Sequence, residues 1–598
     1  MIKVLKQIYY LLTSYERRLA GLLLIQMIAS SLISMFGIAL IFPFMTLVLN
    51  PELLFKQNNI SLLFLYHLFN CHSTHEFLIV LGSMVVVFLV VGNLMLSFTL
   101  WFSTRFALFR NYTLSRRLLE LYLLQPYKFF LSRNSSTLVK NIMVEVYTVI
   151  QNILLAVIRV FDQAIAVIAI LLMLLFVKPL LSLSVLFGFG GAYLLMYFVV
   201  KNRLSVISRD TSDTRQAMFK VVSEGFGGIK DLKFLHREPY VIDRFSVDAL
   251  VFANCASAAS VIASMPRYIL EIIAFGSVIL TLLYLLVTNH TVSGVIPLLS
   301  LYVFAGYRLL PSLQQVFSYL TQVKANKHSL DIVCSDLKYL PAITALQHVV
   351  ENVTFTRELR LCDITFSYQN AKKPAIDGLS LVIQANTMVG FVGLTGAGKT
   401  TLVDIILGLL QPTLGKIVVD DVVLDDRNLY GWQHNIGYVP QHIYLSDDTI
   451  ANNIAFGLPA AAIDMAAVQK AAALASLSDF IEKELPQGYN TIVGERGVRL
   501  SGGQVQRIGI ARALYRNPSV LILDEATSSL DGITEDTILR SIANVAHQKT
   551  IVIIAHRFST IKECDTIFFM KSGRIIDCGN YDDLLERSLD FKKMAKQK

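Results

Sequence analysis

Charge and paired cysteine are scarce in this sequence. Only 16% of its 598 residues are Asp, Glu, Lys or Arg, against ~25% in ordinary soluble domains, while 54% are hydrophobic and the mean hydropathy is +0.55. That balance excludes a wholly soluble or disordered chain. The six cysteines (Cys71, Cys255, Cys334, Cys362, Cys564, Cys578) stand far apart, with no C-x-x-C pair and no His cluster, so neither a disulfide framework nor a zinc site is suggested. Low-complexity tracts and a solenoid period are absent too. The opening MIKVLKQIYYLLTSYERRLAG has basic residues but no apolar core followed by a small-residue cleavage site, so it reads as an amphipathic cytoplasmic lead-in.

What is present divides the chain in two. Residues 1–330 carry 27 Lys and Arg against 14 Asp and Glu, whereas 331–598 carry 26 against 30. A membrane-spanning helix needs about 20 apolar residues. The first part supplies six such stretches, near 19–49, 77–104, 150–177, 180–200, 268–287 and 293–320. Basic residues crowd two of the connections: Arg105, Arg110, Arg116, Arg117, Lys128, Arg133 and Lys140 follow the second span, and Lys201, Arg203, Arg209, Arg215, Lys220, Lys230 and Lys233 follow the fourth. The positive-inside rule therefore makes those connections, both termini and the second half cytoplasmic. Both connections keep a helical pattern with few Gly or Pro, which predicts spans that continue as long stalks; most of their basic residues need do no more than anchor headgroups. Segment 52–70 has helical spacing and reads either as an amphipathic helix at the outer interface or as an irregular loop.

From about residue 330 the spans give way to short β-rich runs interleaved with helical segments. This predicts a linker over 331–352 and an α/β domain on a largely parallel sheet over 353–598. Strand MVGFVGL runs into Gly393-Leu394-Thr395-Gly396-Ala397-Gly398-Lys399-Thr400 and then into a helix beginning at Thr401, the required setting of a phosphate loop. Its backbone N–H groups cradle phosphates, Lys399 neutralises their oxygens and Thr400 can ligate Mg2+. The apolar run 520–523 ends in Asp524-Glu525, placed to hold the metal and to polarise the attacking water respectively. Alone, two acids after a strand read as a helix N-cap.

The pentapeptide Leu500-Ser501-Gly502-Gly503-Gln504 resolves that ambiguity, because here the sequence resembles the ATP-binding-cassette family. Other family elements stand in order: Tyr368, Gln441 in YVPQ, GERG at 494–497, Ser529-Leu530-Asp531, and His556 after TIVIIA. The resemblance implies ATP and Mg2+ as cofactors and a head-to-tail pair of nucleotide domains. In that pair Ser501–Gln504 of one chain faces the other chain's ATP, Tyr368 stacks on adenine, and Gln441 completes the metal shell. His556 then holds the γ-phosphate and orients water. GERG and six spans ahead of one cassette are the exporter half-transporter layout, which implies a homodimer with two working sites. It also implies short coupling helices near 126–139 and 213–224.

Charges inside spans are functional candidates. Arg308 lies deep in the sixth span and Arg267 follows Pro266 in the fifth; both suit a phosphate or pyrophosphate headgroup. The ordinary alternative is internal pairing, since Glu271 is four residues from Arg267 and Arg159 is three from Asp162. MPRYILE (265–271) and YRLLPS (307–312) resemble bacterial flippases of polyprenyl-pyrophosphate-linked oligosaccharides. The expectation is thus an ATP-driven flippase in a bacterial inner membrane, with both termini cytoplasmic and membrane lipid as partner. An exporter of another lipid such as a lipopolysaccharide precursor, a multidrug exporter, and an ATP-gated channel remain as alternatives. Six spans exclude the soluble cassette proteins that act on nucleic acid.

Overall fold

A computed structural model describes residues 1–49, 66–177, 179–287, 296–340, 353–369, 371–525, 548–555 and 558–596. The chain divides into two compact units, 1–125 with 129–344, and 126–128 with 345–598. Most of segment 52–70, together with Ser529-Leu530-Asp531 and His556, lies outside the described residues.

The first unit is helical. Its elements are α1 (Ile2–Leu11), α2 (Ser14–Ala39), α3 (Ile41–Leu49), α4 (Thr74–Leu123), α5 (Tyr127–Leu131), α6 (Ser135–Val177), α7 (Pro179–Gly227), α8 (Ile229–Leu235), α9 (Glu238–Val287), α10 (Ile296–Ala325) and α11 (Lys327–Tyr339). Thr13 and Glu16 close a capping box that starts α2 sharply. Among the described residues four stretches are long and apolar enough to cross a membrane: Ser14–Leu49, Thr74–Leu123, Ser135–Val177 and Glu238–Ile273. The last of these meets the expected fifth span, 268–287, only at 268–273; the fourth expected span falls in α7, which carries the shorter apolar stretch Phe187–Val200, and the sixth in α10. Helix α4 has 50 residues, about 75 Å at 1.5 Å per residue, more than twice a ~30 Å hydrocarbon core. The stalks predicted from the sequence are these continuations. Helix α2 packs on α4, α6 on α10, and α7 on α9.

One expectation is corrected here. Residues 213–224, expected as a short coupling helix, lie inside the unbroken α7; the chain turns later, at Gly227-Gly228, through α8 to His236 in the left-handed region (φ 51°). Nothing between 213 and 224 breaks a helix, whereas the glycine pair and the left-handed C-cap do. Near 126–139 two short helices do occur, α5 and the start of α6. The segment expected as a linker is helical to Tyr339.

The second unit is α/β. Its main sheet has the order β10-β9-β3-β8-β7-β6, formed by β3 (Met388–Gly393), β6 (Ile436–Val439), β7 (Val520–Asp524), β8 (Thr550–Ile554), β9 (Thr566–Lys571) and β10 (Arg574–Gly579). All pairings are parallel except β10 with β9. A four-stranded antiparallel sheet, β2-β1-β4-β5, adds β1 (Glu358–Phe366), β2 (Ile376–Gln384), β4 (Leu414–Val419) and β5 (Val422–Val423). Strands β3, β7 and β8 are buried throughout, and alternate residues face two different cores. Leu521, Leu523, Ile551 and Ile553 join a helical core with Ile450, Val468 and Ile508. Val520, Ile522, Val552 and Ile554 join the core that holds the antiparallel sheet, Trp432 and α12 (Lys399–Ile406).

Candidate nucleotide site

Strand β3 ends at Gly393 in the middle of the main sheet, and the loop 394–398 leads straight into α12. Gly396 (φ 81°) and Gly398 (φ 102°) adopt the left-handed region. A Cβ on Gly398 would also stand 2.7 Å from the Ala375 carbonyl oxygen. The turn therefore needs glycine there on both counts. Leu394, Thr395, Gly396 and Thr400 are exposed, while Gly393, Ala397, Lys399 and Thr401 are buried. Lys399 folds back over the loop and donates from Nζ to the carbonyl oxygen of Gly393 at 2.8 Å. Tyr368, on the loop after β1, bonds Thr401 Oγ1 through its hydroxyl at 3.0 Å and stands edge-on to Phe366.

Asp524 ends β7, next but one to β3, and is 3% exposed. Burial, reinforced by the Glu525 charge and opposed by Lys399, pushes its carboxyl up to about 6. Asp404 of α12 is likewise pushed up to about 6 by burial and by Asp524. Burial and the same two carboxylates push the Tyr438 hydroxyl up as well. This excess of buried negative charge suits a divalent cation, and Asp524, Thr400 and Gln441 offer the all-oxygen donor set Mg2+ prefers. Glu525 sits at φ 51°, an uncommon conformation for a side chain of its size and one that clusters at functional sites. Gln441 Nε2 donates to Glu525 Oε2 at 2.7 Å, so two residues 84 positions apart meet where β6 and β7 end.

Ser501 caps α13 (Gly502–Leu514), its Oγ accepting from Gln504 N while Gln504 Oε1 accepts from Ser501 N at 2.7 Å. The cap fixes Gly502 and Gly503 at the helix start, with Ser501 and Gly502 exposed. α13 packs in the helical core, whereas the phosphate-loop helix packs in the other. Sequence reasoning missed Arg512. Its guanidinium donates to the carbonyl oxygens of Tyr444 and Asn453, both at 2.8 Å, and stacks on Phe456 at 4.6 Å. It ties the segment after Gln441 to the helix that begins at Ser501. No local pattern marks that arginine, since its partners are backbone atoms 59 and 68 residues away.

In the membrane unit Arg267 Nε donates to Glu271 Oε1 at 2.9 Å, the internal pair that the spacing allows. The Arg159–Asp162 pair does not form. Arg159 donates to Thr104 Oγ1 at 3.2 Å, and Asp162, 5% exposed, accepts from Gln163 at 3.0 Å. Arg308 of α10 is half-buried, and among the described residues no carboxylate forms an ion pair with it.

A phosphate loop on a central strand, a buried acid at the end of a strand of the same sheet and a capped Ser-Gly-Gly helix start define a nucleoside-triphosphate hydrolase, fused here to a bundle of membrane helices. Family models agree on both parts, "ABC transporter transmembrane region" over residues 24–305 and "ABC transporter" over 376–528. The ATP-dependent lipid A-core flippase of Saccharophagus degradans is 32% identical over 478 residues, 79% of this chain and 79% of that protein. Its namesake in Ralstonia nicotianae is 30% identical over 79% of this chain and 80% of its own length. ABC transporter B family member 29, chloroplastic, of Arabidopsis thaliana is 43% identical over 36% of this chain and 34% of its own. A bacterial Atm1-family ABC exporter solved with ATP bound matches in fold, with a TM-score of 0.76 and 22% identity over 96% of this chain and 98% of that one. The chain belongs to the ABC transporter family, as an exporter-type half-transporter whose ATP hydrolysis is coupled to transport.

Proposed function

We propose that two copies of this chain flip a lipid with a phosphorylated headgroup from the cytoplasmic to the outer leaflet of a bacterial inner membrane, the cargo being a polyprenyl-pyrophosphate oligosaccharide. The observation that carries this reading is Arg308, half-buried within α10, with which no carboxylate forms an ion pair among the described residues. A cation so placed in a span is a contact for an anionic headgroup. Arg267, tied to Glu271, is the weaker candidate contact. Relatives named ATP-dependent lipid A-core flippase support a lipid cargo and keep a lipopolysaccharide precursor as the second reading. The homodimer is supported by the stalk of α9, where Ile242, Val247 and Leu250 are each more than 60% exposed. In water such a face calls for a covering partner.

On this reading residues 1–330 carry cargo and 353–598 nucleotide, with 331–352 joining them and the termini cytoplasmic. The amides of Gly393–Thr400 hold the phosphates, Lys399 leaves its carbonyl contacts to neutralise their oxygens, and Tyr368 stacks on the base. Asp524, Thr400 and Gln441 would hold Mg2+, which would supply positive charge against the phosphates. Glu525, held by Gln441, takes the proton of the attacking water. His556 holds the γ-phosphate, and Ser501–Gln504 of the second copy closes over it.

The test is ATPase activity of the full chain in nanodiscs. A polyprenyl-pyrophosphate oligosaccharide should stimulate wild type, and Arg308→Ala should cut the stimulation about tenfold, as loss of a charged hydrogen bond implies. Stimulation by hydrophobic cations alone overturns the reading; stimulation by a lipopolysaccharide precursor alone moves the cargo to the second one.

A further inference from the structure

A crevice of about 60 Å³ lies under the corner where α1 turns into α2. Ile8 and Leu12 of the corner, Leu114 of α4, and Ile150 and Leu154 of α6 form its apolar walls. The α6 wall is a π-helical turn, Ile150–Leu154, the kind of local widening that recurs at functional sites. Its charged lining is Glu16, Arg110 and Arg117. Glu16 is fully committed, because one carboxylate oxygen accepts from Thr13 N at 2.8 Å and the other pairs with Arg110. Arg110 retains a buried Nε without a hydrogen-bond partner. Arg117, two turns further along α4, is exposed, and among the described residues no carboxylate forms an ion pair with it.

The corner also sits where a membrane surface should be. Tyr9, Tyr10 and Tyr15 are 60%, 46% and 68% exposed, and Lys3, Lys6 and Arg18 flank them. Exposed tyrosines and lysines around an amphipathic helix mark the headgroup layer. An apolar slot with surplus arginine at that depth matches a molecule with an anionic head and an apolar tail. The volume holds two groups of ~30 Å³, hence only a short stretch of one chain.

We propose that this crevice binds an anionic phospholipid of the surrounding leaflet, its phosphodiester on Arg117 and Arg110 and part of one acyl chain between α1, α4 and α6. The site does not include Arg308 and does not depend on the cargo assigned above. Occupancy braces α1, which in turn rests on α11: Gln7 Nε2 donates to Asp331 Oδ1 at 2.7 Å, and the Tyr10 hydroxyl donates to the Leu337 carbonyl oxygen at 3.4 Å. Since α11 is the last helix before the nucleotide unit in the chain, lipid bound here should tune ATP turnover.

The experiment compares the full chain in nanodiscs of phosphatidylcholine alone and with added phosphatidylglycerol, reading basal ATPase activity and lipid retained by native mass spectrometry. Wild type should retain phosphatidylglycerol and hydrolyse ATP faster with it. Arg117→Gln should retain it about fivefold less, the worth of one basic residue near a lipid surface. Thr113→Trp, which fills the crevice from its rim, should abolish both responses. The control is Arg116→Gln, equal in charge and likewise exposed but outside the crevice, and it should behave as wild type. Equal losses in Arg116→Gln and Arg117→Gln would mean diffuse surface charge and overturn the site. So would a wild type indifferent to phosphatidylglycerol, or one that retains only a polyprenyl pyrophosphate through Arg117.

Discussion

The two units bury charge in opposite ways. In the membrane unit two buried ionic clusters join opposite charges. Lys140 and Glu145, with side chains 1% and 0% exposed, pair at 3.1 Å, and Ser212 and Gln216 of α7 complete the contact at 3.3 Å each. Asp336 of α11 is held by the Tyr122 hydroxyl, Asn141 and Arg133. In the nucleotide unit Lys399 rests on carbonyl oxygens, and Asp524 stands beside a second acid, Glu525, with its carboxyl pushed up to about 6. A pair of opposite charges stays as it is; two acids side by side are a place for a cation. The contrast separates what holds the stalks in register from what changes in each cycle.

The sharpest way to break the comparison is to remove the charge that does chemistry. Glu525→Gln should lower ATP turnover by about a thousandfold while ATP still binds, as loss of a general base implies; ordinary turnover in a steady-state assay would remove Glu525 from the role proposed for it. Next comes a matched pair. Glu145→Leu leaves Lys140 buried alone and should cost ~3–5 kcal/mol, seen as a large fall in the unfolding temperature of the purified chain. Lys140→Met with Glu145→Leu should recover most of that loss. If the double variant is as unstable as the single one, the charges are not acting as a pair.

A smaller effect is expected from pH. Because Asp524 titrates near 6 without nucleotide, lowering pH through 6 should protonate it and weaken Mg2+-dependent nucleotide binding, whereas binding without Mg2+ should change less. Calorimetric titrations at pH 5 and 7.5 would show it. The smallest effect has the opposite sign. An acid whose folded carboxyl titrates above its unfolded value contributes stability below about pH 4, and that contribution is lost as pH rises through about 6. Asp524→Asn should therefore raise the nucleotide-free unfolding temperature slightly at pH 7.5 and flatten its dependence on pH.

How much of this was legible in the sequence follows from the range of each interaction. The phosphate loop, the acid pair after 520–523 and the Ser501 cap are local patterns with local causes, and the geometry retains all three. The apolar stretches announced the membrane helices because their solvent demands length. Lys140 and Glu145 escaped notice because they are five residues apart, off the i,i+4 rule; the π-helical turn Asn141–Glu145 brings them together. The Tyr122–Asp336 and Arg512–Tyr444 contacts span 214 and 68 residues, beyond any local pattern. The antiparallel sheet was hidden for the same reason, since β1 pairs with both β2 and the distant β4. The turn at Gly227-Gly228 was readable, and expecting the break at 213–224 gave too little weight to a glycine pair.

The most direct test puts the chain in proteoliposomes and follows ATP hydrolysis and lipid translocation together, in wild type and in Glu525→Gln. Both rates should fall together in the variant, with the lipid headgroup staying in the leaflet where it began. Headgroups that cross at the wild-type rate in Glu525→Gln would contradict the coupling on which this account rests.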